Sequence, residues 1–167
     1  MYKLQSYKKP YARIVDGDTY ASDFLADSEA EGEAIAVSMN KPELLIALAA
    51  HRFSVETGGL QLKDGLRILT DRESQAQMDS TFSDLKNGFI PDTDWKASND
   101  WKTLDLAAME PIAKAMAAHR RGCFRGERAV IEAIEAATTL VQQETIDIPA
   151  DFRQAYQSAF DEVMNAV

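Results

Sequence analysis

The chain has 167 residues, 46% of them apolar and 27% charged, a balance that fits an ordinary globular protein and excludes wholesale disorder, collagen-like repeats and low-complexity sequence. With 18 basic and 27 acidic side chains the net charge is −9, which argues against a surface that binds nucleic acid non-specifically. Cys123 is the only cysteine, so an intrachain disulfide and a four-thiolate metal site are both ruled out.

Residues 1–25 hold four of the five tyrosines, Tyr2, Tyr7, Tyr11 and Tyr20, and their basic residues all precede Asp16. Tyr11–Val15 and Thr19–Leu25 read as strands of a hairpin around the Asp16-Gly17-Asp18 turn signal. The acidic run from Asp16 to Glu33 reads as a solvated loop or helix face. A helix is expected from Asn40, its cap, to about Glu56, with Pro42 in the first turn and Gly58-Gly59 as the stop. Its segment 44–50 is apolar almost all round, so it belongs in a core or at an oligomer interface.

Leu60–Leu62, Lys63-Asp64-Gly65 and Leu66–Leu69 form the pattern of a tight hairpin. Thr70 or Asp71 then caps a helix to Lys86, closed by Asn87-Gly88. A second short hairpin is expected at 95–104 around Ser98-Asn99-Asp100, with Trp95 and Trp101 on one face. Asp105 caps a long helix reaching about Gln143, with a stripe through Met109, Ile112, Met116, His119, Cys123, Gly126 and Val130. Gly122 and Gly126 weaken that helix intrinsically and would permit a close helix–helix approach. The last helix, 150–166, carries Phe152, Tyr156, Phe160, Val163 and Val167, and folds back on the long helix.

The expected fold is therefore α+β, with short β-hairpins and small helices beside an antiparallel pair of long and short helices. Three parts are expected: a docking segment and acidic linker (1–40), a central region with two hairpins and the long helix (41–145), and a C-terminal helix (146–167). Tyr2, Tyr7, Tyr11, Lys8 and Lys9 are candidate partner-docking residues, on a segment 1–14 whose removal should leave a folded chain. Ile112, Met116, His119 and Cys123 are candidates for an oligomer contact, because the last helix is too short to cover the long one.

Chemistry finds little purchase. His119 and Cys123 stand one helical turn apart, as a thiol nucleophile and its base would, but the stripe around them is apolar and fits a packed seam. No metal-ligand spacing and no phosphate-cradling glycine loop occurs; the acids from Asp16 to Asp27 lack the glycine and glutamate positions of a calcium loop. No catalytic, metal or cofactor residue is assigned. The basic cluster Lys114, Arg120, Arg121, Arg125 and Arg128 is expected to form ion pairs. No apolar run approaches a membrane span, and the N-terminus lacks the apolar region of a signal peptide.

One resemblance adds to this. Pro42-Glu43-Leu44-Leu45, Ala50-His51-Arg52-Phe53 and Val55–Gly59 are followed by Asp64–Ile68 and Thr70–Ala76, then by Asp94–Ala97, Thr103–Asp105 and the helix with Ala117-Ala118-His119, Cys123-Phe124 and Ile131–Ile134. In that order, over about residues 42–138, they resemble an uncharacterised domain family of tailed phages and prophages, encoded near tail-fibre genes. The resemblance implies a structural protein of a phage tail, made in the bacterial cytoplasm and carried in the virion. Its partners would be tail-fibre or baseplate proteins and further copies of itself, a trimer suiting a three-fold fibre; nucleic acid and membrane are not expected partners. A tail-fibre assembly chaperone is the alternative, and a small hydrolase a second. The family has no established catalytic residues to carry over.

Overall fold

The computed structural model describes residues 1–62, 65–97 and 100–166. Its architecture is α+β. Contacts sort the chain into two interleaved units, Met1–Ala50 with Glu127–Asp151, and His51–Gly126 with Phe152–Val167. These limits differ from the expected divisions at 40/41 and 145/146.

In the first unit, β1 (Tyr2–Lys8), β2 (Tyr11–Asp16) and β3 (Thr19–Leu25) form an antiparallel meander in the order β1-β2-β3. The β2–β3 turn is the expected one, with Gly17 at φ +57°, a conformation glycine adopts without steric cost. β1 extends the expected hairpin to three strands, and a cis Lys9–Pro10 bond lies in the β1–β2 turn. The pairing slips beside Ile14, skipping Gln5 on one side and Ala21 on the other, as at β-bulges. Ala12 and Ile14 on β2 are fully buried. Residues 1–14 are therefore not a removable arm: deleting them takes away β1 and residues 11–14 of β2, with part of the core.

Helix α1 covers Glu29–Thr57, eleven residues longer at its start than the sequence reading proposed. Ser28 accepts a hydrogen bond from the Glu31 amide, and the Glu31 carboxylate accepts one from the Asp27 amide. The end of the acidic run, Glu29 to Glu33, is thus the capped start of α1, where carboxylates meet the positive end of the helix dipole, while Asp16 and Asp23 belong to the sheet. Gly32 lies so close to β2 that a Cβ there would stand 2.8 Å from the Ala12 Cβ. Asn40, expected to cap, is interior: it accepts from the Tyr2 amide at 2.6 Å and donates to the Tyr2 carbonyl at 3.0 Å and to Gln143 Oε1 at 3.1 Å. Gln143 also donates to the Val37 carbonyl. A buried polar group is tolerable when so paired, and this network ties β1 to α1 and to α4 (Leu140–Glu144).

In the second unit, β4 (Leu60–Gln61) pairs with β5 (Arg67–Ile68), Leu60 opposite Ile68. The Lys63-Asp64 part of the expected turn lies outside the described residues; Gly65, at φ +86°, is inside. Helix α2 (Arg72–Lys86) has the expected Asp71 cap, which accepts from the Ser74 amide. β6 (Asp92–Lys96) pairs with β7 (Trp101–Asp105), in a register that sets Trp95 opposite Lys102 and Lys96 opposite Trp101. The two tryptophans therefore do not share a face: Trp95 is buried, and Trp101 is exposed beneath the Lys96 ammonium. Ser98-Asn99, in the expected turn between them, lies outside the described residues. Leu66, Ile68, Met78, Leu85, Trp95, Leu104, Met109, Ile112 and Met116 make one core.

Helix α3 (Leu106–Ala136) starts at the expected Asp105 cap, which accepts from the Ala108 amide. It stops seven residues before Gln143, because Thr139 and Gln142 form a capping box that starts α4. Helix α5 (Ile148–Met164) runs antiparallel to α3 in this unit: Gly126 faces Phe152, Gly122 faces Tyr156, and Lys114 donates to the Ala166 carbonyl. Val167, the last residue of the expected stripe, lies outside the described residues.

Candidate functional site

Three places gather the side chains that chemistry or recognition would need. The first is the α3–α5 seam. His119 Nε2 lies 3.1 Å from the Glu56 carbonyl oxygen and Nδ1 lies 2.8 Å from the Tyr156 hydroxyl. A carbonyl only accepts, so Nε2 carries the proton and Nδ1 accepts from Tyr156. Burial holds the His119 pKa below its ordinary value, with the Glu56 carbonyl bond pulling the other way. Burial likewise pushes the Tyr156 phenol up to about 12. Cys123 Sγ is 3.9 Å from the same Nε2 and is fully buried. A nitrogen already donating to a carbonyl cannot take the thiol proton. Around this pair Phe152, Tyr156 and Phe160 stack in sequence, and His51 meets Phe152 edge-on at 5.0 Å.

Ile112, Met116, His119 and Cys123 are each at most 5% exposed. The oligomer contact expected of them is corrected: Ile112 and Met116 are covered by the hairpins and α2, and His119 by α5 and the end of α1. The length argument counted only the last helix as a cover. The basic cluster does form ion pairs: Arg120 meets Asp79, Arg121 meets Glu162, and Arg128 meets Glu132.

The second place is the N-terminal sheet. Tyr2 and Tyr7 are half-buried, the Tyr7 hydroxyl donating to the Ala26 carbonyl. Glu43 lies against the Tyr2 phenol and raises its pKa. Lys8, Lys9 and Tyr11 are exposed at the β1–β2 turn, and Tyr11 pairs across the sheet with exposed Leu25. The five candidate docking residues are thus split, with Tyr7, Lys8, Lys9 and Tyr11 toward the β1–β2 turn and Tyr2 at the other end of the sheet.

The third is a half-open cavity of about 540 Å³ in the second unit, walled by Leu62, Leu66, Leu104, Ile112, Phe160 and Met164, with Lys102, Asp161 and Asn165 also lining it. Among the described residues no cluster of His, Cys, Asp and Glu could hold a metal ion, and no helix is long and apolar enough to cross a membrane.

The family model for a domain of unknown function, DUF4376, matches residues 39–154. The chain belongs to this family. The DUF4376 match begins inside α1 and ends inside α5, so the β1–β3 sheet lies outside it. No curated protein and no solved structure gives a significant match to the chain. Sequence reasoning missed the Asn40–Gln143 network, whose partners are 103 residues apart. It also left open which side of α1 is bare; Ile46 proves 70% exposed.

Proposed function

We propose that this DUF4376 protein is a structural component of a bacteriophage tail, associated with the tail fibre or baseplate and working through protein–protein contacts. The reading rests on the ordered motifs of residues 42–138, which resemble phage and prophage proteins encoded near tail-fibre genes. The surface supports it secondarily. Lys8, Lys9, Tyr11 and Leu25 give one end of the sheet a basic, aromatic and apolar face of the kind that docks on an acidic protein surface. The engaged nitrogens of His119 favour a structural role for its cluster over acid–base work. The protein would be made in the bacterial cytoplasm and carried into the virion.

Mass spectrometry of purified particles tests this: the chain should be present in stoichiometric amount with tail proteins. Presence in the lysate but not in particles would replace the reading with that of an assembly chaperone. If the sheet end is the docking face, Lys8→Glu with Tyr11→Ala should abolish incorporation and leave the melting curve unchanged. Normal incorporation would remove that face from the proposal.

A further inference from the structure

Trp101 is 63% exposed on β7, and it lines a half-open pocket of about 360 Å³ in the second unit. The other lining comes from one side of α2, where Ser74, Gln77 and Thr81 follow at steps of 3 and 4, and from β6. Residues opposite each other in a two-stranded sheet share a face, so Asp94 and Lys96 stand with Thr103 and Trp101. Thr103 donates to Asp94 Oδ1 at 2.8 Å, and the Lys96 ammonium lies 5.5 Å from the centre of the Trp101 ring. An indole is among the largest apolar surfaces a side chain offers, and one left in water at the mouth of a pocket is a surface for a ligand to cover.

The polar lining says which ligand fits. The hydroxyls of Thr81 and Thr93 are half-buried, and neither they nor the exposed Gln77 amide make a side-chain hydrogen bond among the described residues. Hydroxyls and carboxamides both donate and accept. Trp95, also on the lining, carries the one buried side-chain nitrogen or oxygen without a partner among the described residues, its indole N–H. The two charged residues of the lining, Asp94 and Lys96, have opposite signs. A phosphate or other anion would meet the Asp94 carboxylate, and a cation would meet Lys96. A prolyl or other apolar peptide segment would cover Gln77, Thr81 and Thr93 without pairing them, which costs free energy. A neutral ring with hydroxyls around its edge and C–H bonds on its face meets every one of these groups. Its hydroxyls pair with side chains that both give and take, and its slightly positive C–H hydrogens lie on the electron-rich face of the indole. Those are the features of a pyranose. The volume is at the lower end of the roughly 300–1,000 Å³ of small-molecule sites, which suits one or two such rings.

We propose that this pocket binds a neutral hexopyranose residue of an oligosaccharide, stacked on Trp101 and hydrogen-bonded at its edge by Gln77, Thr81, Thr93 and Asp94. An exposed cation–π contact is weak, so Lys96 yields the ring to the sugar and its ammonium donates to a sugar oxygen instead. This is independent of the phage reading, since it rests on the pocket alone. The chain has two tryptophans and Trp95 is buried, so Trp101 is the one whose fluorescence a ligand would shift. Titration of the full chain with maltose, cellobiose, lactose and chitobiose, together with an array of neutral glycans, should give a saturable blue shift or array binding with at least one sugar. By calorimetry with that sugar, Trp101→Ala should weaken binding at least about tenfold. Thr93→Val, which keeps the shape and removes the hydroxyl, should weaken it about three- to tenfold, and so should Gln77→Ala. Trp101 and Gln77 are exposed, so their variants should keep the parent melting curve. The absence of saturable binding to any neutral sugar would overturn the proposal. So would sugar binding that survives Trp101→Ala in a folded chain, or binding of an oligoproline peptide or inorganic phosphate at Trp101 in place of sugars.

Discussion

Gly126→Ala sets two effects of similar size against each other. In an unobstructed helix the change stabilises by about 1 kcal/mol, because alanine has the better helix propensity. At this position the new Cβ would stand 2.9 Å from the Phe152 carbonyl oxygen and 2.9 Å from its Cδ2. Ordinary contact begins at 3.4 Å, so α5 must retreat by about 0.5 Å. The obstruction is partly backbone, which no side-chain rotation relieves. Overpacking of this kind costs about 1–3 kcal/mol, and the retreat also disturbs the stacking of Phe152 on Tyr156 and its edge-on contact with His51. We expect a net loss of about 1 kcal/mol, a fall in Tm of roughly 3 °C for a chain of this size, read by differential scanning calorimetry. Gly122→Ala requires the same retreat, since its Cβ would meet the Tyr156 ring at 2.8 Å. The double variant should therefore lose less than the sum of the two single losses, the displacement being made only once. A rise in Tm for Gly126→Ala would refute the reasoning, because it would mean that propensity alone decides and the helices are not in contact there.

Gln143→Leu should destabilise by about 1–3 kcal/mol, because it strands an Asn40 amide hydrogen in the core and removes the side-chain bond to the Val37 carbonyl; a denaturant midpoint equal to that of the parent chain would count against the network. His119 has a depressed pKa in the folded state, so its contribution is complete above the unfolded value near 6.5 and is lost as pH falls below it toward the folded value. Imidazole resonances should keep His119 neutral at pH 6.5, and a midpoint at or above 6.5 would contradict its burial.

Much of this fold could be read from punctuation. The Asp16–Gly17 turn, the Asp71 and Asp105 caps and the Gly58-Gly59 stop all stand where turn and cap chemistry puts them. Two ends were misplaced for one physical reason. Ser28-x-x-Glu31 and Thr139-x-x-Gln142 have the spacing of capping boxes, yet the first was read as part of a charge run and the second as the interior of a long stripe. The tryptophan pairing failed because a face depends on register, and a hairpin's register is fixed by its turn. Among the candidate sites, the seam of Ile112, Met116, His119 and Cys123 was legible as apolar. What covers it was not, since β5, α2 and the end of α1, which help to do so, are distant in sequence. Asn40 shows the same limit: good cap chemistry reads identically whether the amide faces a helix end or a strand 38 residues away.

The interleaving of the two units bears on how the chain is made. The first unit needs residues 1–50 and 127–151, so its second half reaches the ribosome only after the whole of 51–126. At about 5–20 residues per second, residues 1–50 wait roughly 5–20 s for their partners. During that interval Ile14 and Val15 belong to a sheet whose unit is incomplete, and the first residues out of the ribosome are fully packed only once residue 151 has followed them. Early release of the nascent chain would thus leave a sticky sheet, and premature termination anywhere before residue 151 would spare neither unit.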